Sequence, residues 1–191
     1  MNYDWTNRTY VEGWKSEFPS DLADLCVSLA EQGGYSERFI PEAAIVNFYT
    51  PSQVMGPHRD DAELTMEKPI VSISIGCDAV FCIENKPFEK DSEICCLWLR
   101  SGDVVVMGGK SREALHGVAV TLPDTFAVDE ETNKNLSRDE SKLAKALSTM
   151  RININVRQVE DESHVSKTFA GRKGDSHTGV MACSSMTSEN K

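Results

Sequence analysis

Arg151–Arg157, reading RININVR, constrains the fold more than any other stretch of the chain. Polar and β-branched residues alternate there without a break, which fits the two-residue period of a strand and contradicts the 3.6-residue period of a helix. Arg151, Asn153, Asn155 and Arg157 therefore share one face, and Ile152, Ile154 and Val156 the other. A strand with one wholly apolar face belongs to a layered β structure in which that face meets a core. The polar face has two readings: it is solvated, with surface arginines, or it is turned inward to line a site. At about 3.3 Å per residue the two arginine Cα atoms lie roughly 20 Å apart, too far to fork one carboxylate but able to reach inward from opposite ends of a small dicarboxylate.

Similar alternation recurs upstream. Ile45, Asn47 and Tyr49 share a face opposite Ala44, Val46 and Phe48, while Ile70, Ser72 and Ser74 oppose Val71, Ile73 and Ile75. Short strands are expected over 79–84, 94–99, 104–107 and 116–120, separated by the turn signals Lys86-Pro87, Ser101-Gly102-Asp103 and Gly108-Gly109. That spacing lacks the βαβ pattern and predicts a mainly β protein with a few helices, a sandwich or jelly roll whose polar strand faces look at water or line a barrel mouth. A helix capped by Ser20 after Pro19 places Leu22, Leu25, Cys26 and Leu29 on one face and ends at Gly33-Gly34. A second helix starts where Ser137 precedes Glu140 in a capping-box pattern, with Leu143, Leu147 and Met150 as its apolar stripe. The acidic, proline-containing stretch 121–135 reads as an exposed excursion. Residues 1–18 scatter Tyr3, Trp5, Tyr10, Trp14 and Phe18 among polar residues, which fits a flap over a pocket or a strand packed on the outer sheet.

With 191 residues and 40% hydrophobic content, one core and one domain over 1–159 are expected. Residues 160–191, rich in Ser, Gly, Lys and Glu and without an apolar period, read as a disordered tail. No apolar run approaches the roughly 18 residues of a membrane span and the start lacks a signal pattern, so a soluble protein with no membrane partner is expected. Six cysteines lie scattered without CxxC spacing, which points to reduced, intracellular thiols; nucleus, cytoplasm and mitochondrion are not distinguished. A formal charge of -10 excludes binding of nucleic acid by overall charge alone, since phosphate contacts need clustered Lys and Arg.

The chemistry is placed between Asn47 and Ser74, where His58 and Asp60 stand two residues apart before a β-branched run. Alone, such a pair is a solvated loop histidine beside an aspartate. Joined by His116 from Leu115-His116-Gly117-Val118, it becomes a metal-site candidate, because two histidines and one carboxylate leave positions on Fe(II) open for substrate and dioxygen.

Taken in order, Asn47-x-Tyr49, His58-x-Asp60, Pro69–Gly76 (PIVSISIG), Gly102–Arg112 (GDVVVMGGKSR), His116-Gly117-Val118 and Arg151-x-Asn153-x-x-x-Arg157 resemble the AlkB family of dioxygenases. The similarity runs from about Tyr3 to Val159 and is greatest to the eukaryotic AlkB homologue one subfamily. The resemblance implies a double-stranded β-helix that holds Fe(II) by His58, Asp60 and His116, and binds 2-oxoglutarate through Asn47, Tyr49, Arg151, Asn153 and Arg157. It further implies oxidative demethylation of N-methylated bases in nucleic acid, tRNA or DNA, with dioxygen as co-reactant, a chemistry of DNA repair and tRNA modification. Tyr3, with Trp5 beside it, matches the position of a base-stacking aromatic. Arg112 matches a family position that a structural role also explains, and Arg59 and Glu63 fit a plain loop role better than one in substrate choice. Two other readings stay open: a protein hydroxylase or demethylase of the same cofactor class, and a truncated non-catalytic module binding metal or 2-oxoglutarate.

Overall fold

A computed structural model describes residues 2–4, 6–7, 9–11, 17–35, 38–51 and 53–159; Trp5, Trp14 and the 160–191 segment lie outside the described residues. A short hairpin comes first, β1 (Asn2–Asp4) and β2 (Thr9–Val11), followed by helix α1 (Ser20–Gln32). The strands β3 (Ala43–Tyr49), β4 (Met55–His58), β5 (Ile70–Gly76), β6 (Asp78–Glu84), β7 (Ile94–Leu99) and β8 (Val104–Met107) come next. A 3-10 turn (Gly109–Glu113), β9 (His116–Leu122), α2 (Glu130–Asn135), α3 (Arg138–Leu147) and β10 (Arg151–Arg157) complete the order. Eight of the strands form two antiparallel four-stranded sheets, β3-β10-β5-β8 and β4-β9-β6-β7. Together they make the expected jelly roll.

Two apolar clusters decide which strand face looks where. Between the sheets, Tyr49, Ile70 and Met107 of the first pack on Ala79, Phe81, Leu99 and Val118 of the second. On the far side of the first sheet, Cys26, Leu29 and Ala30 of α1 bury Val71, Ile73 and Val156. The apolar face of β10 is thus taken by the helix, and its polar face turns into the sandwich. Arg151, Asn153 and Arg157 are all buried, as are Ser72 and Ser74 on the neighbouring strand. This excludes the solvated reading of RININVR.

Helix α1 ends at Gly33 as expected, but Pro19 is its N-cap and no side chain caps it; Ser20 is already helical. The capping box of α3 is formed, with the Ser137 N–H donating to Glu140 Oε2 at 2.8 Å and the Glu140 N–H to Ser137 Oγ at 3.3 Å. The expected excursion over 121–135 is shorter than read, because Thr121 and Leu122 complete β9 and Asp129 caps α2 by accepting from the Thr132 N–H at 2.9 Å. Among the described residues no helix is long and apolar enough to cross a membrane.

Candidate metal and cosubstrate site

Strand β4 is the edge of the second sheet, and its pairing with β9 slips by one residue: Met55 lies opposite Val118, yet His58 lies opposite His116. Three steps on β4 match two on β9, so one residue of Gly56-Pro57 is bulged. A bulge on an edge strand tolerates a proline, which has no N–H to donate. Its consequence is that His58 turns to face His116, with ring centroids 4.4 Å apart. Gly117 permits the close approach, since a Cβ there would stand 2.6 Å from the Met55 carbonyl oxygen. Gly117→Ala is therefore expected to push β4 outward and weaken Fe(II) binding about 10–100-fold, the usual range for losing a support behind metal ligands. Titration of the variant with Fe(II) under anaerobic conditions checks this, and parental affinity would refute it.

The donor set fits a divalent metal. Nδ1 of His58 lies 3.0 Å from the Gly56 carbonyl and Nδ1 of His116 lies 2.9 Å from that of Ala114. A carbonyl only accepts, so each ring directs a proton at Nδ1 to it, and in its neutral form offers Nε2 as the lone pair for a metal. Both Nε2 atoms face the Asp60 carboxylate, at 3.8 Å from His58 and 3.6 Å from His116, and the three donors lie within 4.8 Å of one another. These separations are too long for hydrogen bonds and suit ligands that share one ion. Burial opposes ionisation of Asp60, but His116, Arg157 and His58 outweigh it and hold the carboxyl far below the usual aspartate range.

Asp60 is oriented by an ion network that the sequence did not announce. Arg157 donates to Asp60 Oδ2 and to Glu63 Oε1, both at 2.8 Å. Glu63, whose side chain is fully buried, also accepts from Arg112 at 2.7 Å and from the Tyr10 hydroxyl at 2.8 Å. Arg112 is committed further, to the backbone carbonyls of Asp60 and Lys68. Glu63 is therefore the hub of the site's support, a larger part than the plain loop role expected of it. Arg59 lies at the rim, bonded to the Glu113 carbonyl at 2.8 Å and to Glu84 at 2.9 Å, with its guanidinium 4.5 Å above the Phe88 ring.

The expected cosubstrate residues all sit on one face of two neighbouring strands, where Arg151 pairs in register with Tyr49 and Asn153 with Asn47. A cleft of about 530 Å³ opens beside the candidate metal ligands, its wall including Asn47, Met55, His58, Asp60, Asn155 and Arg157. Tyr49, Arg151 and Asn153 are not on that wall; they are buried further along the same face. Asn153 spends its amide N–H groups on Ser72 Oγ and the Ile73 carbonyl, at 2.8 and 3.2 Å. Arg151, only 1% exposed, donates to Ser74 Oγ at 2.9 Å and lies 5.3 Å from the Tyr49 ring centroid, but its Nε and Nη1 have no hydrogen-bond partner. Burial lowers its pKa, with Tyr49 opposing. Buried guanidinium N–H groups without an acceptor are costly, and an anionic ligand oxygen would satisfy them. Asn155 Oδ1 is likewise buried and unpartnered. Ser74 and Asn155 extend the polar face beyond the residues expected to bind the cosubstrate. Of the expected aromatics, Tyr3 is placed on β1 opposite Tyr10, and Trp5 lies outside the described residues.

A jelly roll presenting two histidines on adjacent strands and one carboxylate just beyond the first of them defines the class of non-haem metal oxygenases. The chain belongs to the 2OG-Fe(II) oxygenase superfamily, whose family model matches residues 1–157. Its relatives there are AlkB homologues. The DNA N(6)-methyladenine demethylase ALKBH1A of Arabidopsis thaliana is 39% identical over 171 residues, covering 83% of this chain and 47% of that protein. The N6-methyladenosine RNA demethylase ALKBH of Cryphonectria parasitica is 38% identical over 172 residues, covering 83% of this chain and 72% of that protein. The solved structure of OsALKBH1 superposes with a TM-score of 0.58 at 27% identity, covering 82% of this chain and 74% of that one. The chain thus spans about half the length of the Arabidopsis relative. Membership implies Fe(II) and 2-oxoglutarate as cofactors.

Proposed function

We propose that the chain is an Fe(II)/2-oxoglutarate-dependent dioxygenase that demethylates or oxidises N-methylated bases in RNA or DNA, tRNA included. The observation that carries the reading is the His58, Asp60 and His116 donor set, with both Nε2 lone pairs turned to one carboxylate, in a sandwich that buries an unsatisfied arginine. The relatives' activities on methylated adenine support the substrate class. Bound there, iron and 2-oxoglutarate would supply, with dioxygen, the oxidising chemistry that removes an N-methyl group as formaldehyde.

The chain's own residues bind, orient and shield. His58, Asp60 and His116 hold the metal, and Arg157 keeps Asp60 ionised and aimed. Arg151 offers Nε and Nη1 to the distal carboxylate of 2-oxoglutarate, with Asn47, Tyr49 and Asn153 around it. Arg157 retains an unpartnered Nε beside its bond to Asp60. Tyr3 and Trp5 stack the target base: Tyr3 lies in a hairpin that Tyr10 ties to Glu63 beside the metal ligands.

The deciding experiment incubates the protein with Fe(II), ascorbate, 2-oxoglutarate and either a mixed pool of methylated DNA and RNA oligonucleotides or a mixed peptide pool, then quantifies nucleosides and peptides by mass. Loss of one methylated nucleoside with matching formaldehyde is expected. Oxidised peptide in place of nucleoside, or decarboxylation with no oxidised substrate, would replace the reading by one of the two alternatives. Arg151→Lys is expected to raise the apparent constant for 2-oxoglutarate about tenfold or more, because a point charge cannot reproduce the planar fork and a hydrogen bond to a charged group contributes about 1.5–3 kcal/mol. An unchanged titration curve would remove Arg151 from the site. Replacing Tyr3 and Trp5 together by alanine is expected to cost about 1–3 kcal/mol of oligonucleotide binding per stacked base while sparing uncoupled decarboxylation. Affinity that stays constant would end the stacking assignment.

A further inference from the structure

The face of β6 and β7 that looks away from the first sheet carries a pair of thiols. Cys82 and Cys96 are register partners, and their sulfurs lie 2.8 Å apart. Phe81 and Ile83, on either side of Cys82, pack between the sheets, which fixes the outward direction of Cys82. Cys82 is half-buried and Cys96 exposed, and neither takes part in the metal or cosubstrate site.

Strand geometry accounts for the closeness. Beyond the end of β6 the Asn85 N–H donates to the Glu93 carbonyl at 2.9 Å, which makes that couple a hydrogen-bonded one. Bonded and non-bonded couples alternate along an antiparallel ladder, so Glu84/Ile94 is non-bonded, Ile83/Cys95 bonded and Cys82/Cys96 non-bonded. In a non-bonded couple the Cα atoms approach to about 4.5 Å and the side chains are closest. Disulfides span Cα separations of about 4.4–6.8 Å, so this position closes without backbone movement. Cys95 belongs to the opposite side of β7, across from Ile83, and cannot stand in for Cys96 without the strand turning over.

We propose that Cys82 and Cys96 are a dithiol modification site, which low-molecular-weight disulfides of the glutathione class oxidise to a cross-strand disulfide. The exposed Cys96, as thiolate, attacks one sulfur of the incoming disulfide and expels the other as a thiolate, leaving a mixed disulfide at Cys96. Cys82 then attacks the Cys96 sulfur and expels the second small thiol. The protein gives up two electrons and two protons, and the small disulfide becomes two thiols. The Cys82 thiol is pushed up to about 11, first by its hydrogen bond to Cys96 and then by burial; capping Cys96 removes the first of these and frees Cys82 to act as the resolving thiol.

The site is tested on the whole chain, equilibrated anaerobically with graded ratios of reduced to oxidised glutathione, alkylated, and mapped by peptide mass spectrometry. The expected product joins the Cys82 and Cys96 peptides with loss of two hydrogens, in the parent and in Cys95→Ser alike. Cys96→Ser should abolish it, and Cys82→Ser should instead accumulate the mixed disulfide at Cys96. Because the disulfide closes a loop in the unfolded chain, the oxidised parent should also melt roughly 5–10 °C above the reduced one. No joined peptide at any ratio in the parent, or joining of Cys96 to Cys95 or another cysteine in its place, would overturn the proposal without recourse to any variant.

Discussion

Replacing His116 by alanine is expected to reduce Fe(II)-dependent turnover of 2-oxoglutarate to background while costing the fold only about 1–2 kcal/mol. As a candidate ligand the side chain offers Nε2 to the metal, and through Nδ1 it bonds the Ala114 carbonyl two residues away, so its removal strands no buried charge. Asp60→Ala should lose turnover equally but melt lower than His116→Ala, since it strips Arg157 of one carboxylate inside the sandwich. Turnover of 2-oxoglutarate and thermal melting, measured on both variants, separate ligation from support. Parental turnover in either would remove that residue from the metal site.

Glu63→Ala should be the most destabilising of the substitutions considered. It leaves the buried guanidinium groups of Arg112 and Arg157 without the carboxylate that both share. Breaking a buried pair from one side typically costs about 3–5 kcal/mol, which in a chain of this size lowers the melting midpoint by roughly 6–20 °C. The effect has a pH signature. Burial pushes the Glu63 carboxyl up, but Arg157 first, then Tyr10 and Arg112, hold it below the ordinary glutamate value of 4.5. A group whose pKa is depressed by folding stabilises the native state fully above its unfolded value and loses that contribution as pH falls through its folded value. The parent should therefore lose stability as pH drops below about 4.5, and Glu63→Ala should show a shallower loss over that window. Parallel melting curves against pH for the two proteins would show that the network contributes nothing through Glu63.

The alternation of RININVR announced a two-faced strand, but period two distributes residues between faces without saying which face is inside. That choice was made by α1, whose Cys26, Leu29 and Ala30 claim the apolar side. Strand β4 was not legible, because Gly56-Pro57 reads as a turn and only the pairing with β9 reveals a bulged edge strand. Helix α2, EETNKN, has no apolar stripe and is signalled only by the Asp129 cap. The histidines and Asp60 could be proposed from spacing and ligand chemistry. Glu63 could not, since its partners Arg112 and Arg157 stand 49 and 94 residues downstream and a lone glutamate after an aspartate pair carries no such signal. The closest approach to a clue was Arg112, four residues ahead of His116 in the stretch that resembles the AlkB pattern.

The candidate site is divided between the two layers: the candidate metal ligands His58 and His116 lie on β4 and β9, whereas the proposed cosubstrate residues lie on β3 and β10. A chelate of iron and 2-oxoglutarate would consequently act as a strut between the sheets. Any ligand confined to the native state raises stability by RT ln(1 + [L]/Kd), about 2.7 kcal/mol at a hundredfold excess. Iron alone would secure one sheet and 2-oxoglutarate alone the other, so the increment from both together should exceed the sum of the separate increments. Melting under nitrogen, with Zn(II) or Mn(II) standing in for iron and no turnover possible, would read that excess as the mechanical coupling of the two layers.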